Sequence, residues 1–333
     1  MSGAGEAKPE GRCRSRYSVI DTVAPVILVL HGVCPSSLLG MSSDPFADLA
    51  SSTEAFARKF REFMSRNPRP AQGSPASTEA QGEPLAGAWG DRPSSDIFAT
   101  AYYAAASCTD HLLGLADVLS SRNALFSAYT LTRGATEAAA LGCYLTDQNI
   151  DGTERVRRAM NYRLDAMSER VWLFKDMHSD YAAKELDETR HQIADFARGA
   201  RQHNLIFHDM DGKGRAAHIG LEQPKTMTLI SLAVDKTMPE LGRTYHRLLS
   251  ATAHSAVHGL TRMLTPVSPN GGRPGEALAA VNVDPQRLAV ELVVGPLTAH
   301  SLAKSIEWYT GCDMSNLHGP ANQLLSTWAR IGE

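Results

Sequence analysis

The chain has 333 residues, with 33 lysines and arginines against 36 aspartates and glutamates and a formal net charge of −3. Hydrophobic residues are 43% and charged residues 21%, ordinary for a globular chain, which excludes wholesale disorder. The charge balance excludes a chain-wide basic field for coating nucleic acid, though not a local basic face. Aromatic residues are only 7%, while alanine recurs in runs at Ala104 to Ala106 and Ala138 to Ala140, a bias toward helix over sheet.

Near the N-terminus, Lys8, Arg12, Arg14 and Arg16 precede an apolar run from Val23 to Leu30, in the order of a secretion signal. Pro25 interrupts the run, His31 ends it, and no small-residue cleavage pattern follows closely. It is also too short to span a bilayer. Residues 1–40 are read as extraneous or disordered, with Met41 as an alternative start; a buried strand or packing arm and a targeting segment are the other readings. Cys13, Cys34, Cys108, Cys143 and Cys312 are odd in number, widely spaced and free of any C-x-x-C. They suggest neither a disulfide framework nor a zinc knuckle, and the expected setting is a reducing cytoplasm, with no membrane partner.

Asp44-Pro45 reads as an N-cap followed by proline in the first helical turn. Phe46, Leu49, Phe56, Phe60 and Phe63 then recur at helical spacing, giving an N-terminal helix within 41–65. Residues 66–95 hold Pro68, Pro70, Pro75, Pro84 and Pro93 among several glycines, the composition of a flexible linker, with Trp89 as a docking residue. From Ser95 the helical pattern is nearly continuous. Helices are expected from Ser95 or Asp96 to Leu119, from Asn123 to Leu145, from Asp151 through an arginine-rich stretch, and from Asp180 to about Asn204. Further helices follow from Thr226 to Lys236, Pro239 to Leu264, Pro285 to Tyr309, and Ala321 to Arg330, with loops at 203–223 and 265–284. No strand-type alternation or internal repeat stands out after residue 41. The prediction is an all-α fold, an antiparallel bundle spanning 96–333, whose apolar stripes face one another because such helices are marginal alone in water.

One predicted helix concentrates polar chemistry. At about 100° per residue, Arg247, Ser250, His254 and His258 lie on one stripe, flanked by the small residues Ala251, Ala253, Ser255 and Ala256. Polar groups facing a bundle are costly unless paired. Arg133 and Glu137 supply a candidate partner, one turn apart in a helix otherwise rich in alanine and leucine. That pair reads either as an intrahelical ion pair or as a group reaching into the bundle. Two metal readings also compete: His254-x-x-x-His258 has a spacing able to bind zinc, and His203, His208, Asp209, Asp211 and His218 cluster in one loop. Neither has a complete ligand set, so no metal and no cofactor is assigned. No phosphate-binding glycine loop and no hydrolase G-x-S-x-G occurs.

Arg247, six intervening residues and His254, together with the Asp110-His111 helix, the Arg133/Glu137 helix and Tyr245, resemble the HEPN superfamily over roughly residues 95–264. The resemblance implies a helical bundle, frequently dimeric, and in many members a metal-independent ribonuclease in a toxin or phage-defence setting. By it, Arg247 and His254 take the catalytic positions, with Ser250 orienting them and Arg133, Glu137, Tyr245 and His258 placed for substrate. The chemistry suits RNA: a 2′-hydroxyl attack needs a proton acceptor, and histidine titrates near neutrality; a guanidinium grips phosphate oxygens. Leu248 stands where the family usually carries a polar residue, which keeps an inactive relative, a helical small-molecule-binding module or an interaction module in play.

Overall fold

A computed structural model describes residues 44–87, 89–90, 92–211, 214–256, 259, 264–266, 279–281 and 283–333. The reading of residues 1–40 therefore lies outside the described residues. The fold is all-α. Its helices are α1 (Pro45–Arg66), α2 (Pro75–Gly82), α3 (Pro93–Ser121), α4 (Leu125–Leu145), α5 (Gly152–Phe174) and α6 (Asp180–Gln202). After a short antiparallel pair, β1 (Phe207–His208) and β2 (His218–Ile219), come α7 (Thr226–Val234) and α8 (Gly242–Ala253). A second pair, β3 (Leu264–Pro266) and β4 (Ala279–Val281), precedes α9 (Pro285–Leu292), α10 (Val294–Thr310) and α11 (Ser315–Gly332).

Helix α4 is the centre, packed against α3, α7, α8 and α10. Its small residues make this possible. A Cβ added at Gly142 would sit 2.4 Å from Leu302 Cδ1 on α10, so glycine there allows the close approach of the two helices. Helices α1 and α11 close the main core through Phe56, Phe60 and the fully buried Trp328, whose indole donates to Thr53 Oγ1 at 3.1 Å. A second, smaller core joins α5 and α6 through Met160, Leu164, Ile193 and Phe196.

Caps fix several starts. Asp44 accepts from Phe46, Asp151 from Glu154 and Ser179 from Ala182, each satisfying an otherwise orphaned amide. Within the stretch expected as a linker, 66–95, the structure has the capped helix α2. Glu79 of α2 pairs with the buried Arg155 of α5 and accepts from Tyr309 of α10. Trp89 docks on α6, where its indole donates to the Phe196 carbonyl at 3.2 Å. The helix expected over 285–309 is divided at Val293 into α9 and α10, because Pro296 has no amide to give the Leu292 carbonyl. The one expected over 239–264 is shorter at both ends. At its C-terminus the Ser255 amide donates to the Thr252 carbonyl at 3.0 Å and the Ala256 amide to the Ala251 carbonyl at 2.8 Å. This is a Schellman stop, with Ser255 at φ 54° in the left-handed region.

Candidate functional site

The stop after Ala253 places His254 at the C-cap of α8, exposed, rather than inside a continuing helix. The buried face of α8 is Tyr245, Leu248, Leu249 and Thr252. Arg247 lies about 150° around the helix from that face and is exposed. Tyr245 is in the core, and its hydroxyl donates to the Val290 carbonyl at 3.0 Å; burial, then the Glu291 carboxylate, push its phenol well above the ordinary value. His258 lies outside the described residues.

Across from α8, Arg133 and Glu137 stand one turn apart on α4. The Arg133 guanidinium donates Nε–H to Glu137 at 2.7 Å and Nη1–H to His254 Nε2 at 2.8 Å. Arginine can only donate, so Nε2 of His254 accepts, and this imidazole carries its proton on Nδ1. Arg133 and Glu137 are half-buried; the contact with His254 is at the surface. The structure thus brings Arg133, Glu137 and His254 together, while Arg247 points to solvent and Tyr245 packs inside.

Two further groups belong to this polar seam. His246 was not singled out in the sequence, yet it precedes Ser250 and His254 at successive four-residue steps, so the three wind along one side of α8. Burial, then the Arg133 charge, lower the pKa of His246, while Glu137 opposes them. Its Nδ1 and the Ser250 Oγ are both buried without a hydrogen-bond partner among the described residues. The i, i+4 spacing of His246 and Ser250 was the available signal.

A cleft of about 850 Å³ opens beside the cluster. Glu137 belongs to both. His111 of α3 lies across Gly134 there: a Cβ on Gly134 would stand 2.5 Å from His111 Nε2. Asp110 turns the other way and pairs with Arg61 at 3.0 Å. The opposite wall is α5.

The loop reading of a metal site finds no support in geometry. His208 and His218 stack face to face, centroids 4.5 Å apart and planes at 15°, and His203 packs on Trp89 at 5.6 Å. Among the described residues no group of three or more His, Cys, Asp or Glu is disposed to hold a metal ion. Burial raises the Cys143 thiol to about 12 and the Cys108 thiol further, which removes both as nucleophiles. No helix among the described residues is long and apolar enough to cross a membrane. No protein-family model matches the chain, and no curated protein or solved structure matches it either.

Proposed function

We propose that the chain is a HEPN-like, metal-independent endoribonuclease, with His254 as the proton acceptor and Arg133 and Arg247 as phosphate-binding cations. The observation that carries this reading is the 2.8 Å contact between the Arg133 guanidinium and His254 Nε2 at the surface. A phosphate oxygen is a better partner for a guanidinium than a neutral imidazole. An arriving phosphodiester would take Arg133 and release the lone pair of His254. Arg243 and Arg247, one turn apart on α8, are both exposed, and among the described residues neither has an ion-pair partner. Such like-charge neighbours are unfavourable alone and favour a polyanion.

The step follows. His254 Nε2 accepts the 2′-hydroxyl proton; the 2′-oxygen bonds to phosphorus; the bond from phosphorus to the 5′-oxygen breaks; the leaving oxygen takes a proton from solvent. The products are a 2′,3′-cyclic phosphate and a 5′-hydroxyl. The arginines stabilise the charge that develops on the phosphorane, Glu137 holds Arg133 in place, and Ser250 orients the seam. Tyr245 supports α8 from the core. From the resemblance come the wider parts of the proposal: a homodimer, and a toxin or phage-defence role in the cytoplasm.

The test incubates the full chain with labelled single-stranded RNA in EDTA. Fragments ending in a cyclic phosphate are expected, with His254→Ala and Arg133→Ala each slowing cleavage by at least about 100-fold. Arg247→Ala is expected to raise KM more than it lowers kcat. Absence of cleavage across RNAs of varied sequence, or cleavage untouched by His254→Ala, overturns the reading. Sedimentation checks the dimer.

A further inference from the structure

The 850 Å³ cleft has a chemistry opposite to that of the arginine face. On α5, Tyr162, Asp165, Glu169 and Trp172 all line it. Their spacing of three, four and three residues puts them within one helical face, two aromatic rings bracketing two carboxylates. Tyr103 of α3 lines the facing wall, and Glu222 lies on the segment that closes one side. Lys225 also lines the cleft, and Glu222 has Arg215 at 3.8 Å. Asp165 and Glu169 have no ion-pair partner among the described residues. Two carboxylates one turn apart repel, and burial together with Glu169 and Glu222 raises the pKa of Asp165. Gln223, on the same wall, has its side-chain oxygen buried with no donor among the described residues. The described lining of the cleft therefore carries four carboxylates, Glu137, Asp165, Glu169 and Glu222, against one lysine, Lys225.

We propose that this cleft binds an elongated organic polycation of the di- or triamine class, its ammonium groups on Asp165, Glu169 and Glu222 and its methylene chain between Tyr103, Tyr162 and Trp172. Three features favour this over a metal ion. The volume is that of a small-molecule pocket, within the range of about 300–1,000 Å³. No three of the described carboxylates and imidazoles converge on a single point. Aromatic faces attract alkylammonium groups and add nothing to a hydrated divalent cation. An ammonium also donates, so Gln223 Oε1 gains what it lacks.

The experiment titrates the full chain with spermidine at constant ionic strength, following Trp172 fluorescence and, separately, heat. A saturable response is expected, at least about tenfold weaker in Asp165→Asn/Glu169→Gln. Trp172→Phe is expected to remove the fluorescence change while keeping calorimetric affinity within about threefold. Magnesium chloride at matched charge is expected to give no saturable signal. Equal binding by magnesium, wild-type affinity in the double variant, or no heat of binding overturns the proposal. Should the double variant fail to fold, Glu222→Gln, on an exposed residue, takes its place, and undiminished affinity there overturns the proposal equally. His254→Ala leaves this binding unchanged, so the outcome is separable from that of the RNA reading.

Discussion

The Arg133 guanidinium of α4 lies 2.8 Å from Nε2 of His254, the residue that caps α8, while Glu137 holds its other edge at 2.7 Å. One helix supplies the cation with its counter-ion; the other supplies the imidazole. Because Arg133 is already neutralised within α4 and His254 is exposed, the contact between helices adds little to stability, within the range of about 0.2–1 kcal/mol for exposed pairs. His254→Ala is expected to lower Tm by no more than about 3 °C, measured by calorimetry. A fall several times larger would show that the imidazole holds α8 in place, and would make it a packing residue.

Arg155 is a different case. It is buried, paired with Glu79, donates to the carbonyls of Asp147 and Ile150 at 2.8 and 2.6 Å, and lies over the rings of Trp308 and Tyr309. Removing one partner of a buried pair strands the other charge, at a cost of about 3–5 kcal/mol. Arg155→Ala is therefore expected to lose that much in urea unfolding. It should also open α2 to limited proteolysis before the rest of the chain. A loss below about 1 kcal/mol would mean that α2 is not held by this residue.

The stability of the chain is expected to fall in mild acid through His300 on α10. Burial, then the charges of Lys304 and His318, lower its pKa to about 4. The unfolded chain takes up that proton near 6.5 and the folded chain resists until about 4, so unfolding binds a proton within this window. Stability is full above the upper value and declines as pH drops toward the lower. The decline amounts to at most about 3 kcal/mol, less the screening that partial exposure allows. Urea midpoints at several pH values, compared with those of His300→Asn, check this: the variant should show a flatter acid limb. An identical slope would place the acid sensitivity elsewhere.

Ser255 adopts φ 54° at the Schellman stop of α8, a conformation that costs a non-glycine residue roughly 1 kcal/mol. Ser255→Gly is expected to stabilise by up to about that amount, offset in part by the greater freedom glycine has in the unfolded chain. Chemical denaturation checks the sign. A clear destabilisation would mean that the serine side chain holds the turn.

Much of this architecture was legible residue by residue. Asp44-Pro45, Asp151 and the Asp180 region announced helix starts because a cap is a local interaction between neighbours in sequence. The Arg133/Glu137 pair was legible for the same reason. The end of α8 was not, since no glycine or proline stands at the left-handed position, which Ser255 takes instead. Close approach there is real: a Cβ on Gly259 would stand 2.7 Å from the Ala251 carbonyl carbon. That stop sets His254 at the C-cap rather than within the helix that carries Arg247 and Ser250, and the guanidinium beside His254 is that of Arg133 on α4. The acidic cleft was also illegible, because its walls are far apart in sequence, although Tyr162, Asp165, Glu169 and Trp172 already shared a face of α5. Helix α2 was hidden by composition: prolines at 75, 84 and 93 frame elements there as much as they interrupt them.

The chain between α1 and α3 acts as a clasp. The Tyr102 hydroxyl donates to the Asn67 carbonyl at 2.6 Å, the Ala71 amide to the Thr310 carbonyl at 2.8 Å, and the Ser94 hydroxyl to Glu83 at 2.8 Å. Anyone trimming the protein for crystals or spectra would be tempted to cut at residue 95, where the prolines end. Such a fragment would leave Arg155 deprived of its carboxylate, Trp328 without the hydroxyl of Thr53, and the flank of α3 bare. The shortest useful piece begins no later than Asp44.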